Sequence, residues 1–73
     1  MTVVEAVAAE SLDAGAKLWS ERRGEVLGTV IEAEERDGGD TVCIRWRHAV
    51  NESQSSVSSQ TVSRDALIPV VCG

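Results

Sequence analysis

The stretch from Thr41 to His48 alternates apolar and polar side chains, and this alternation constrains the fold more than any other feature of the chain. One set of alternate residues is apolar and the other carries two arginines: Val42, Ile44 and Trp46 against Cys43, Arg45 and Arg47. Such alternation is typical of an antiparallel strand with one face in a core and the other in solvent. It predicts a half-buried strand whose two arginines point outward together.

A glycine-rich turn precedes this strand. Asp37, Gly38 and Gly39 separate it from a second apolar run, Val26 to Glu34. Glycine adopts positive φ without steric cost, so Asp-Gly-Gly between two apolar runs predicts a β-hairpin. Gly28 inside the earlier run predicts a bulge or a sharp bend there.

Further strands are predicted on both sides of the hairpin. Lys17 to Trp19 reads as a short strand, which a charged loop over residues 20–25 joins to the hairpin. Residues 51–60 are polar and serine-rich, which favours a long loop over their first half. The stretch from Val57 to Val62 predicts one more strand.

The two ends of the chain carry weaker signals. Residues 1–11 place apolar side chains at helical spacing but are too short to hold a helix alone, so they predict a loose or helical arm. Ser63 to Leu67 predicts one helical turn, with Ser63 as the N-cap. Ile68 to Val71 predicts a short final strand at an edge of the sheet, because Pro69 has no N–H to donate.

Composition supports an all-β domain and limits its partners. The chain has 73 residues, enough for one small domain, and valine dominates its apolar residues. The net charge is −5, and residues 1–40 hold ten acids against four bases. That balance disfavours nucleic acid and anionic membranes. With no apolar run near 20 residues and no basic N-terminal leader, the sequence predicts a cytoplasmic protein without a membrane span.

The order of predicted elements resembles the small SH3-like β-barrels, a superfamily that includes KOW and Tudor-type modules. The likeness spans residues 12–71 and rests on five features: Gly15, Leu18-Trp19, Gly28-Thr29-Val30, the alternation of Val42, Ile44 and Trp46, and the Ser63–Leu67 turn. It implies an N-terminal arm over residues 1–11 and a five-stranded barrel over residues 12–73. A Tudor-type aromatic cage is not expected, since the chain has two tryptophans and neither Phe nor Tyr.

Neither a metal site nor a cofactor site is predicted. Cys43 and Cys72 are too few for zinc and are expected to be free thiols, although a disulfide between them stays open. The acids around the glycine-rich turn lack the spacing of a calcium loop. His48 is the single histidine, and the sequence identifies no nucleophile and no orienting acid for it, so catalysis is not expected.

The residues predicted to bind a partner are an exposed tryptophan and four arginines: Trp19, Arg22, Arg23, Arg45 and Arg47. Guanidinium groups bind carboxylates and phosphates in a bidentate manner, and an exposed tryptophan is a typical contact anchor. The alternative is that Arg45 and Arg47 form a solvated face and pair with Glu32 or Glu34 on the neighbouring strand.

Three functions remain open from the sequence. The leading hypothesis is a non-catalytic binding or assembly module for a protein partner or for a second copy of the chain, because a core this small gains from association. The second is a KOW-like nucleic-acid module, which would need its arginines clustered away from the acids. The third is a small-molecule site or an enzyme formed at the axis of an oligomer.

Overall fold

The alternating segments of the sequence form strands in the structure, a computed structural model that describes residues 2–72. They make one antiparallel sheet of six strands, and residues 2–72 contain no α-helix. The all-β prediction is therefore confirmed. The strands are β1 (Val3–Ala8), β2 (Lys17–Ser20), β3 (Glu25–Arg36), β4 (Thr41–Asn51), β5 (Gln54–Ser63) and β6 (Leu67–Cys72).

The sheet is open, and in this respect it differs from the predicted five-stranded barrel. The strand order is β1-β6-β2-β3-β4-β5, so β1 and β5 are its two edges over the described part of the chain. A sixth strand is present because β1 occupies the free side of β6. On its other side β6 meets the short β2 only where Val70 faces Leu18.

The predicted hairpin is present as β3 and β4. A 3₁₀ turn over Asp37–Gly39 joins the two strands. Gly38 and Gly39 have φ of 68° and 95°, and Asp37 itself has φ of 53°. Glycine accepts this left-handed region freely and aspartate tolerates it, so the Asp-Gly-Gly sequence matches the turn it forms.

The N-terminal residues are not the loose or helical arm that the sequence predicted. They form β1, which pairs along its whole length with β6, and then a 3₁₀ turn over Ala9–Ser11. The N–H of Ala9 donates to the Ala66 carbonyl at 2.9 Å, and Ala9 is fully buried. Pairing with a distant strand overrides the weak local helical pattern.

The polar segment after β4 is also more regular than predicted. The connection between β4 and β5 is only Glu52 and Ser53, and β5 begins at Gln54 instead of following a long loop. Asn51 holds the turn, because its Oδ1 accepts hydrogen bonds from the N–H and the hydroxyl of Ser53 at 3.0 and 3.1 Å. Serine side chains give little strand signal, but the backbone of β5 pairs with β4 regardless.

The predicted helical turn before the last strand is a single β-turn. The Ala66 N–H donates to the Ser63 carbonyl at 3.0 Å, and β6 begins at the next residue. β6 also lies inside the sheet instead of at its edge. Pro69 is tolerated there because β6 has a full partner on one side only, so few N–H groups are needed on the other.

The core is small and lies on one face of the sheet. Its most buried large side chains are Val30, Val42, Ile44 and Leu18, at 1%, 2%, 3% and 4% exposed. The core residues come from four strands and from the segment after β1: Ala9, Leu12, Leu18, Val30, Val42, Ile44 and Val70. Trp46 packs at the margin of this cluster, where the core face continues toward one end of the sheet.

Candidate functional site

Arg45 and Arg47 lie exposed on the outward side of β4, as the alternation predicted. Arg45 faces Glu32 in the β3–β4 register, and its Nη1 donates to Glu32 Oε2 at 3.2 Å. Arg47 makes no ion pair within the described chain. The two arginines are therefore not equivalent, because a carboxylate already engages Arg45.

Arg22 and Arg23 lie in the turn between β2 and β3. The backbone N–H of Arg23 donates to Ser20 Oγ at 3.2 Å, and the Gly24 N–H donates to the Ser20 carbonyl at 2.7 Å. The guanidinium of Arg23 lies 4.0 Å from Glu25, and both side chains are largely exposed. Arg22 has no ion-pair partner within residues 2–72.

Trp19 lies in β2, just before the turn that holds Arg22 and Arg23. It is half-buried and faces Val26 across the register, on the side of the sheet opposite Leu18. Arg45 and Arg47 lie on this same side, because they alternate with the buried residues of β4.

A groove of about 600 Å³ lies at one end of β3 and β4, and we call it the Trp46 groove. Of the five predicted binding residues, Arg23 and Arg47 line it, and Trp19, Arg22 and Arg45 do not. Its other lining residues are Ser20, the Glu25–Thr29 segment of β3, Trp46, His48, Ala49 and Ser58. The groove continues the core face past the last buried apolar side chain.

Gly28 gives the groove its floor. A Cβ at this position would lie 2.6 Å from Trp46 Cδ1 and 2.6 Å from the carbonyl oxygen of Arg47. Only glycine leaves room for the indole and the β4 backbone to approach β3 this closely. Gly28 lies next to a register shift, where β2 pairs Leu18 with Gly28 and then Trp19 with Val26. The bend that the sequence predicted at Gly28 is thus a bulge that admits Trp46.

The polar wall of the groove contains a histidine–serine pair. His48 Nε2 and Ser58 Oγ are 3.0 Å apart, and both residues are partly buried. A serine and a histidine at this distance are the start of a nucleophile–base arrangement, but catalysis also needs a group that orients the ring. No side chain of residues 2–72 hydrogen-bonds Nδ1 of His48. The two side chains together form the polar wall of the groove.

The sequence singled out individual residues of this groove, but it did not predict that they lie together. It predicted Trp46 on the core face of its strand, Gly28 as a bulge or bend, and no catalytic role for His48. The available signal was a glycine in one strand of a hairpin and a tryptophan in the other. Their alignment depends on the bulges in β3, and these cannot be counted from sequence.

Residues 2–72 contain no cluster of three His, Cys, Asp or Glu side chains that could hold a metal ion. Cys43 and Cys72 are free thiols, half-buried and exposed respectively. Within the same residues, no helix has the length and apolar character needed to cross a bilayer.

Comparison with protein-family models, with curated proteins and with solved structures gave no match for this chain. The Trp46 groove and the surfaces around it are therefore the features of the chain that bear on its function.

Proposed function

We propose that the chain is a non-catalytic binding module that accepts a short segment of a partner protein in the Trp46 groove. One observation carries the proposal. The indole of Trp46 rests on the bare backbone of Gly28, so aromatic surface lines an open groove instead of being sealed in the core. Tryptophan at the floor of a groove is a strong anchor for a partner because it buries a large area at low entropic cost.

The groove lining favours a segment with one apolar side chain and one carboxylate. Trp46 and Leu27 offer apolar surface, while Arg23 at the rim offers a charge-assisted hydrogen bond. The Arg23–Glu25 pair is long and exposed, so a ligand carboxylate can compete for the guanidinium at little cost. His48, Ser58 and Ser20 can satisfy the backbone N–H and C=O groups of an extended peptide.

We also propose that the sheet is related to the SH3-like barrels. Without β1, the sheet order is β6-β2-β3-β4-β5, in which the last strand returns beside the first. That return is the arrangement implied by the predicted barrel order. The open side of the sheet beyond Trp46 is then a natural position for a ligand, since no strand covers it in residues 2–72.

The arrangement of charges favours protein over nucleic acid as the partner. Three arginines already face acids, in the pairs Arg45–Glu32, Arg36–Glu34 and Arg23–Glu25. A phosphate-binding surface would need these cations clustered and free. We therefore expect titration with short RNA and DNA, at low and at physiological salt, to show no binding. Binding to phosphates would instead give an affinity whose logarithm falls linearly with the logarithm of the salt concentration.

Two adjacent arginines provide a matched test of the groove. A peptide library displayed on phage is selected against the folded protein, and the best peptide is titrated by calorimetry into the wild type, Arg23→Ala and Arg22→Ala. Arg23 lines the groove and Arg22 does not. We expect Arg23→Ala to weaken binding about 10-fold, the loss typical of an interface contact worth about 1.4 kcal/mol, and Arg22→Ala to change it little.

Thermal melting of both variants provides the control for folding, and both should match the wild type. Equal loss of affinity in the two variants would place the peptide elsewhere, on general positive charge. Recovery of no peptide above background, with folded protein on the selection surface, would remove the groove as a peptide site.

A further inference from the structure

A second surface of the sheet is apolar although no part of residues 2–72 covers it. It lies on β1, β6 and β2, opposite the core, and we call it the outer apolar face. Leu67 is 69% exposed, the highest value among the exposed large hydrophobic residues, and Val4 is 37% exposed. By strand alternation and register, the face consists of Val4, Ala6, Trp19, Leu67, Pro69 and Val71.

This face has the shape of a shallow trough. Val4 pairs with Val71 at one end, Leu67 pairs with Ala8 at the other, and the small Ala6 beside Pro69 lies between them. Val4 and Ala8 are four residues apart, so the two ends are about 13 Å apart. A groove of about 370 Å³ runs here, and two acids, Glu5 and Glu21, also line it.

The exposed area of the molecule is larger than a compact monomer of its mass requires. The chain exposes 5068 Å² at a mass of 7.8 kDa. The surface scaling of monomeric proteins gives about 4,400 Å² for this mass. The excess, about 700 Å², is close to the roughly 800 Å² that each partner buries in an interface of standard size. The open sheet thus leaves more surface exposed than its mass requires, and the outer apolar face is part of that surface.

We propose that a second copy of this chain covers the outer apolar face and forms a two-fold symmetric dimer. The face is suited to its own copy. A two-fold axis that crosses the strands at Ala6 places Leu67 of one copy against Val71 of the other, and the small Ala6 and Pro69 allow the sheets to approach. Such an isologous contact uses the same patch twice and closes on itself.

The dimer also accounts for Trp19. Trp19 follows Leu18, and Pro69 precedes its register partner Val70, so the two lie on the outer apolar face together. A half-buried tryptophan next to an apolar trough is a typical interface anchor. Trp19 was predicted from sequence as a contact residue, and this face gives it a contact independent of the Trp46 groove.

The test compares one leucine and one valine, each changed to aspartate. Sedimentation equilibrium is measured on the full chain, on Leu67→Asp and on Val50→Asp, over a wide range of protein concentration. Val50 is 59% exposed on β4 and does not line the outer apolar face. We expect a dimer for the wild type and for Val50→Asp, and at least about 10-fold weaker dimerisation for Leu67→Asp.

Two further measurements are made: circular dichroism reports whether each variant folds, and the emission of Trp19 reports association. If Leu67→Asp fails to fold, Ala6→Gln replaces it, because Ala6 is exposed and lies on the proposed axis. In a Trp46→Phe background the remaining Trp19 emission should shift to the blue as the protein associates. A wild type that stays monomeric up to millimolar concentration overturns the proposal. So does a dimer that survives in Leu67→Asp or Ala6→Gln, as a dimer joined through the β1 edge would.

Discussion

Trp46 lies directly on Gly28, so that a methyl group at position 28 would lie 2.6 Å from the indole and 2.6 Å from the Arg47 carbonyl. This contact joins β3 to β4 at the point where the core ends and the Trp46 groove begins. Stability and the proposed binding surface therefore depend on the same absent side chain.

Gly28→Ala should destabilise the fold, because a methyl group there must displace both the ring and a backbone carbonyl. Overpacking of this kind costs about 1–3 kcal/mol. Urea denaturation measures the loss, and in a Trp19→Phe background the emission of Trp46 should shift toward the red as the ring is displaced. The double variant Gly28→Ala, Trp46→Leu should not regain stability, since the clash between the added methyl group and the carbonyl of Arg47 remains. Full recovery in the double variant would contradict the close backbone approach.

The core is so small that each of its largest members should matter. Val30 is 1% exposed, and Val50 on the neighbouring strand is 59% exposed. Val30→Ala removes the same atoms as Val50→Ala but leaves a cavity, so we expect a loss of about 2 kcal/mol in the first and less than about 0.5 kcal/mol in the second. The urea midpoints of the two variants measure the difference. Comparable losses would indicate that Val30 is not part of a packed core.

The fold could be predicted from sequence where the signal is local. Alternation identified β4, and the Asp-Gly-Gly turn identified the β3–β4 hairpin, since both signals lie within a few residues of the structure they specify. β1 was missed because the residues it pairs with in β6 are 59 to 69 positions away and a short valine-rich stretch also fits a helical turn. β5 is longer than the predicted strand, which covered only Val57 to Val62. Serine side chains give no periodic apolar signal, although the backbone of a serine can pair in a sheet as well as that of any other residue.

The candidate site was predictable only in part, for a related reason. Alternation correctly placed Arg45 and Arg47 on the outside of β4. It could not show that the carboxylate of Glu32 would form an ion pair with Arg45. The register that brings Glu32 opposite Arg45 follows a shift between Val30 and Glu32. A bulge changes which residues face each other, and its position is set by packing against the core.

The Arg45–Glu32 pair should contribute little to stability. Its side chains are 49% and 46% exposed, so water and salt screen the interaction at 3.2 Å. A double-mutant cycle with Arg45→Met and Glu32→Gln should give a coupling of about 0.2–1 kcal/mol at low salt, which shrinks in 1 M salt. A coupling well above that range, or one insensitive to salt, would mean that the pair is better shielded than its exposure indicates.

The hydrogen bond between His48 and Ser58 can be isolated with a neighbouring serine. Ser59 follows Ser58 in β5 but is exposed, faces Arg45 in the register and has no side-chain hydrogen bond. Ser58→Ala removes a partner from a partly buried ring nitrogen, so it should cost about 1 kcal/mol, and Ser59→Ala should cost almost nothing. Urea denaturation measures both variants, and the ¹⁵N shifts of the His48 ring should change in the first and not in the second. If the ring shifts are the same in wild type and Ser58→Ala, the histidine is not held by Ser58, and the polar wall of the Trp46 groove must be formed by other groups.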